Sequence, residues 1–343
     1  MRTRWLWLSI LICALLLLAA QDGYCGKGGH YSPGVGGVRD FTMPQKSGLY
    51  YAEYTPYYYT DGYYGSNGKK VKTLSGDGVI IINNTPVHVT ADANIDIKVQ
   101  SVGISPLFFY VFDKNILGAK YGVMVGTYFG YVKTKIKADV TASTGGIQLP
   151  GQEIKTSVEF NDSAYGMGDL SVSPLWLDWN WEHNEIWTSF GIYAPVGKYS
   201  SDKFTNIGRG FWSEEIALGA AYYPQKERQT AFVGNLTYEL NQKQKGSDVT
   251  SGQNIALEYG VSQYFTPRLE LGLSGYSMFQ VTRDHGGTIY GNAPNSYVHA
   301  IGAECNYWIS KGKFCVAGKY LCEYAARDRT KGQLATINFY YIF

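Results

Sequence analysis

Along much of the chain apolar and polar residues alternate one by one. From Val89 to Gln100 the odd positions are Val89, Ala91, Ala93, Ile95, Ile97 and Val99, and the even ones Thr90, Asp92, Asn94, Asp96, Lys98 and Gln100. A helix would mix the two sets on every side, whereas a strand sends them to opposite faces. The separation recurs at Ile255, Leu257, Tyr259 and Val261 against Asn254, Ala256, Glu258 and Gly260. It recurs again at Leu269, Leu271 and Leu273 against Glu270, Gly272 and Ser274, and at Phe232, Leu236, Tyr238 and Leu240 against Val233, Asn235, Thr237 and Glu239. The polar rows are rich in Gly, Ser, Asn and carboxylates, which suits a wet interior better than a sealed core.

Read this way, the chain predicts about twelve strands, near 48–64, 88–111, 120–140, 166–181, 185–199, 211–223, 227–240, 252–265, 268–282, 297–309, 314–325 and 333–343. Short turns are expected at 113–119, 183–184, 224–226, 266–267 and 310–313, and longer polar loops at 65–85, 141–164, 200–210, 241–252, 283–296 and 326–332. Short turns at one rim and long loops at the other are the arrangement of outer-membrane barrels, with the short turns periplasmic. After residue 20 there is no run of about 18 apolar residues, so a membrane-resident chain must close into a barrel that pairs every backbone amide. The predicted fold is an all-β, transmembrane, antiparallel up-and-down barrel. Several segments exceed the roughly 9–11 residues that cross a bilayer, so the barrel is expected to project beyond the outer leaflet.

One hairpin can be registered from sequence. Folding at Lys311-Gly312 pairs residues whose numbers sum to 623, which sets Glu304 opposite Lys319, Cys305 opposite Gly318 and Cys322 opposite Ile301. The two cysteines are then roughly 13 Å apart, beyond the reach of about 7 Å that a disulfide allows, and free thiols are expected.

The N-terminus changes the compartment. Arg2 and Arg4 precede the apolar stretch Trp5 to Ala20, 16 residues long, and then Gln21-Asp22-Gly23-Tyr24-Cys25. Such a segment is an export signal, too short for a membrane span. A cleaved signal peptide is expected over 1–25, a periplasmic N-terminal segment over 26–47 and the barrel over 48–343. Within that segment Pro33-Gly34 and the run to Gly37 read as a loop or short inward stretch ahead of the first strand. Cys13 and Cys25 would leave with the signal, and the odd remainder, Cys305, Cys315 and Cys322, forms neither a disulfide framework nor a zinc spacing.

Composition agrees with a barrel: 30 Tyr, 41 Gly and 15% aromatics stand beside 17% charged residues, as aromatic girdles require. A secreted β-sandwich or lectin shares this composition. The last segment separates them, because Ile337, Phe339, Tyr341 and Phe343 alternate with Asn338, Tyr340 and Ile342 and the chain stops at an aromatic. That ending resembles the C-terminal signal read by the barrel-assembly machinery, an expected partner through the Phe343 strand. Without Arg2, Arg4 and Asp22 the net charge falls from +2 to +1, and with no basic run nucleic acid is not an expected partner.

Four stretches carry a family resemblance: Gly29-His30-Tyr31-Ser32-Pro33-Gly34, Ile116 to Gly122, Gly168-Asp169-Leu170-Ser171-Val172-Ser173-Pro174-Leu175, and Tyr193 to Tyr199 running on through Asn206-Ile207-Gly208-Arg209 to Phe211-Trp212. In this order they resemble the outer-membrane proteins grouped with the meta pathway of phenol degradation. The resemblance implies a bacterial outer-membrane barrel and passage of aromatic or other hydrophobic compounds. It brings no catalytic or ligand residues.

Nucleophile elbows, phosphate loops and H-E-x-x-H are absent, and the glycines near Gly34 lack the flanking strand and helix of a dinucleotide site. No enzyme, metal or cofactor is expected. Ser277 and His299 would be outward-facing diagonal neighbours if their strands pair, the minimum for a lipid-modifying hydrolase, although a His in an aromatic girdle explains the pair more simply. The lumen-lining candidates are Asp92, Asp96, Lys98, Glu215, Glu239, Glu258, Glu270, Glu304 and Lys319. They would give an open pore mild cation preference, or a filled one salt-bridged plugs. Arg209, in a long loop, is the constriction candidate through pairing with a lumen carboxylate; its alternative is a solvated loop charge. The expected function is a passive channel for small, hydrophobic or aromatic solutes, with outer-membrane lipid and lipopolysaccharide around it. A closed structural or adhesive barrel is the alternative.

Overall fold

A computed structural model describes residues 28–82, 85–145, 153–286 and 295–343, so the expected signal peptide lies outside the described residues. Its strands are β1 (Gly48–Tyr64), β2 (Thr73–Ile82), β3 (Thr85–Ile116), β4 (Ala119–Gly126), β5 (Phe129–Gly145), β6 (Glu153–Met167), β7 (Leu170–Asn180) and β8 (Asn184–Ala194). They continue with β9 (Ser213–Tyr222), β10 (Thr230–Asn241), β11 (Asn254–Tyr264), β12 (Leu269–Gln280), β13 (Tyr297–Ser310), β14 (Phe314–Arg327) and β15 (Arg329–Ile342). Antiparallel neighbours run from β1 through β15 and down in order to β7, then β4, β3 and back to β1, which closes a ring of twelve strands. The ring matches the twelve expected segments. β4 and β5 are one barrel strand interrupted at Thr127-Tyr128, and β6 and β7 are its partner interrupted at Gly168-Asp169.

Alternation decides what faces where. On β12 Leu273 is 60% exposed while Glu270 is 2% exposed. The same division puts Leu257, Phe232 and Leu236 outside and Asn254, Glu258, Asn235 and Glu239 inside. The outer rows form an apolar belt that only lipid can cover, and the inner rows bury their polar groups against partners. Leu273→Lys, near the middle of β12, is expected to destabilise the barrel by about 2–4 kcal/mol, measured by reversible unfolding in lipid vesicles. Gln100→Glu, which would face Lys133 across the sheet, is expected to stay within about 0.5 kcal/mol, because this part of β3 meets water.

β3 is 32 residues long and crosses from oil to water. Its even positions face outward throughout: Val102, Ile104, Phe108, Tyr110 and Phe112 are exposed apolar residues, whereas Asp92, Asn94, Lys98 and Gln100 above them are exposed polar ones. The upper part belongs to a projecting sheet in the order β2-β3-β5-β6. Outside the membrane the sheet turns its polar row to water and its apolar row inward, so Ala93, Ile97, Ile136 and Val140 are buried.

This corrects three expectations. Asp92, Asp96 and Lys98 do not line the lumen; they lie on the outer face of the projecting sheet, where Asp96 and Lys98 pair at 2.9 Å with both side chains 46% exposed. The regions 65–85 and 141–164, expected as loops, contain β2 and most of β6. The expected loop 326–332 is a tight turn at Asp328, whose φ of 53° reverses the chain between β14 and β15.

The registered hairpin is found as expected: Glu304 faces Lys319, Cys305 faces Gly318 and Cys322 faces Ile301. Cys305, Cys315 and Cys322 are free.

Candidate functional site

Residues 28–47 form turns and coil rather than strand, as Gly29, Pro33, Gly34, Gly36 and Gly37 dictate. Buried backbone N–H groups without a ladder need other acceptors, and the lumen glutamates provide them. Glu239 of β10 accepts from the amides of His30 and Tyr31. Glu258 of β11 accepts from Gly34 N at 2.6 Å and from the Tyr31 hydroxyl. Glu304 of β13 accepts Val38 N through both oxygens, at 2.9 and 3.1 Å, and Glu185 of β8 accepts Met43 N at 3.1 Å. In the opposite sense Lys319 Nζ donates to Gly36 O at 2.6 Å and Asn338 Nδ2 to Val35 O at 3.1 Å.

Residues 28–47 therefore lie inside the barrel, which corrects, for these residues, the expected periplasmic N-terminal segment over 26–47. They span the lumen between the two rims. His30 sits near the long-loop rim, where Nδ1 meets Ser213 Oγ at 2.7 Å and Nε2 donates to Asp169 Oδ2 at 2.9 Å, with the ring stacked on Tyr193. At the other rim Lys120 Nζ donates to Gln45 Oε1 at 3.2 Å. Between them Arg39 donates to Glu270 and, at 3.0 Å, to Ser262 Oγ, with its guanidinium 4.9 Å from the Tyr264 ring centre. The inward reading of Pro33 to Gly37 holds, and Gly34 shows why a glycine is needed there. Its φ is +86°, and a Cβ would sit 2.6 Å from Leu321 Cδ1 and 2.8 Å from Tyr276 Cε1.

Apolar walls flank this polar grip. Toward the short-turn rim, Val38 and Met43 pack with Tyr50, Val111, Trp176 and Trp187, with Phe41 and Phe109 against them. Toward the long-loop rim, Tyr31 and Val35 rest on Tyr276, Met278, Val298, Leu321 and Leu334.

Of the expected lumen residues, Glu215, Glu239, Glu258, Glu270, Glu304 and Lys319 face inward. Lys319 Nζ lies 3.7 Å from Glu304 Oε2, and Glu215 accepts from the Tyr193 hydroxyl at 2.9 Å. Arg209 holds its loop inward by its main chain, because its amide donates to Asp169 Oδ2 at 2.6 Å; its guanidinium lies beside Gly28. Sequence reasoning missed His30, Arg39, Asp169, Glu185 and Glu323. Glu323 was within reach, since it shares the inward row of Lys319 and accepts from the hydroxyls of Tyr58 and Tyr276 at 2.7 and 2.6 Å. Glu185 follows the turn at His183-Asn184 and reads as a turn charge. Ser277 and His299 are directly opposite rather than diagonal, with Nδ1 and Oγ 2.8 Å apart. Aromatic rings of Phe279, Tyr297 and Tyr324 surround the imidazole.

Among solved structures, an outer-membrane channel from Pseudomonas putida F1 is 12% identical, with 92% of this chain and all (100%) of that chain covered at a TM-score of 0.59. The CymD monoaromatic hydrocarbon channel is 10% identical, over 93% of this chain and 96% of that one, at a TM-score of 0.42. A FadL homologue from Pseudomonas aeruginosa is 10% identical, over 86% and 90%, at 0.37. The first likeness shows an outer-membrane barrel fold. No curated protein sequence matches the chain. The family model described as the putative MetA-pathway of phenol degradation matches residues 80–339, and the chain belongs to that family.

Proposed function

We propose that the protein is a passive channel in the bacterial outer membrane for small, hydrophobic or aromatic solutes, closed at rest by its own residues 28–47. The observation that carries this reading is the way the lumen is filled. The closure is held mainly by carboxylate-to-amide bonds that water can replace, and the walls beside it are aromatic and aliphatic. A displaced segment would leave a passage with greasy sides and a charged waist, suited to solutes that shed water readily. The family description and the channel from Pseudomonas putida support the same reading. Transport is diffusive and needs no cofactor. The long-loop rim faces out of the cell, and the strand ending at Phe343 is the handle for the barrel-assembly machinery.

The lipopolysaccharide leaflet is a poor solvent for apolar compounds, so intact cells provide the test. Cells lacking the protein are expected to take up a labelled monoaromatic compound several-fold more slowly than complemented cells, with sugar uptake unchanged. Equal uptake would remove the channel reading. It would favour a structural or adhesive barrel, for which the projecting sheet is the specific observation.

A further inference from the structure

Just above the lipid-facing belt, the outer face of the projecting sheet carries bases without acids in its first two polar rows, and its first acids only in the third. Cross-strand register defines the layers. Val102, Tyr131 and Tyr165 share one row across β3, β5 and β6; the next row outward is Gln100, Lys133 and Ser163. Lys98, Lys135 and Asn161 follow, and only then come Asp96, Lys137 and Glu159. Successive rows on one face are ~7 Å apart.

One feature of this band is costly in isolation. Lys98 lies directly opposite Lys135, and like charges opposite one another destabilise a sheet. Their carboxylate partners, Asp96 and Glu159, each at 2.9 Å, belong to the row farther out. Lys133, nearest the belt, has no ion pair among the described residues. A fourth base reaches the same level, because Lys198 from the β8–β9 loop holds its Nζ 4.3 Å from the Tyr165 ring centre.

We propose that this band binds the phosphates of the outer-leaflet phosphoglycolipid, lipopolysaccharide, while its acyl chains lie on Val102, Ile104 and Phe129 below. The border between apolar and polar rows is the depth at which that lipid places its phosphates. Lysines there keep their stems on the apolar rim and their ammonium groups at the headgroups. A bound phosphate relieves the Lys98–Lys135 repulsion, and the rings of Tyr131 and Tyr165 occupy the same interface. The assignment rests on the long-loop rim facing outward.

The purified protein in detergent can be titrated with bis-phosphorylated lipid A, with fully dephosphorylated lipid A bearing the same chains, and with inorganic phosphate. The phosphorylated lipid is expected to bind about tenfold tighter or more than its dephosphorylated counterpart. Lys133→Glu combined with Lys135→Glu should abolish the difference, while Lys226→Glu at the opposite rim preserves it. Should the double variant fail to fold, Lys98→Gln with Lys133→Gln is read in the same titration and should shrink the difference several-fold. Equal binding of the two lipids, or a difference that survives in the folded variant, would overturn the proposal. So would displacement of the lipid by inorganic phosphate, which marks a site for free anions.

Discussion

Deleting residues 28–43 is expected to convert a closed barrel into an open pore that prefers cations. That stretch supplies the amides of His30, Tyr31, Gly34, Val38 and Met43 and the guanidinium of Arg39, the groups now bound by Glu239, Glu258, Glu304, Glu185 and Glu270. Once it is gone those carboxylates line the passage and meet water. Lys319 and Arg228 remain close to them but do not balance them, so the pore keeps an acidic wall. Single-channel conductance in planar bilayers is expected to rise on the order of tenfold. Under a salt gradient the reversal potential should move toward that of the cation. Unchanged conductance from a deletion protein that still runs as a folded, heat-modifiable barrel would show that this segment is not the obstruction.

Lys319→Met should carry the largest cost of any single substitution in the lumen, about 3–5 kcal/mol. The ammonium and its partner are both buried, 5% and 1% exposed by side chain, and the same Nζ caps the Gly36 carbonyl. Methionine fills similar volume, but it leaves the buried Glu304 carboxyl without a cation and Gly36 without a donor. Glu304→Gln should cost less, about 1–3 kcal/mol, because an amide oxygen still accepts from Val38. The double variant should cost less than the sum of the two, with a coupling of roughly 0.5–3 kcal/mol. Urea unfolding in vesicles, followed by tryptophan fluorescence, measures all three. Strict additivity would mean that the two side chains do not act as a pair.

Within the membrane the sequence was nearly transparent, and above it was not. Two-residue alternation identified the twelve ring strands because lipid outside and polar groups inside give each strand an unmistakable sign. Residues 89–100 alternate just as cleanly, yet their sign is reversed, since water replaces lipid outside and an apolar interior replaces the lumen. Periodicity reports that two faces differ, without saying which solvent each one meets. The place to look is the outward row itself, where Gln100 gives way to Val102 and Lys133 to Tyr131. For the lumen, Glu258, Glu270 and Glu304 were legible as inward acids in excess of inward bases. What satisfies them was not, because a coil segment bonded through its main chain leaves no side-chain pattern to read. The excess of acid was itself the trace of a missing donor.

The way the glutamates hold that segment has an evolutionary side. They accept from backbone N–H groups, which every residue but proline carries, so the hold on His30, Tyr31, Val38 and Met43 depends on where the chain runs far more than on its spelling. Apart from Arg39 and Asp40, which are themselves bonded to the wall or to the segment, side chains between those anchor points can drift, and with them the shape and greasiness of whatever route opens when the segment moves. A lineage can thus retune which compounds it admits, one substitution at a time, while the door continues to shut.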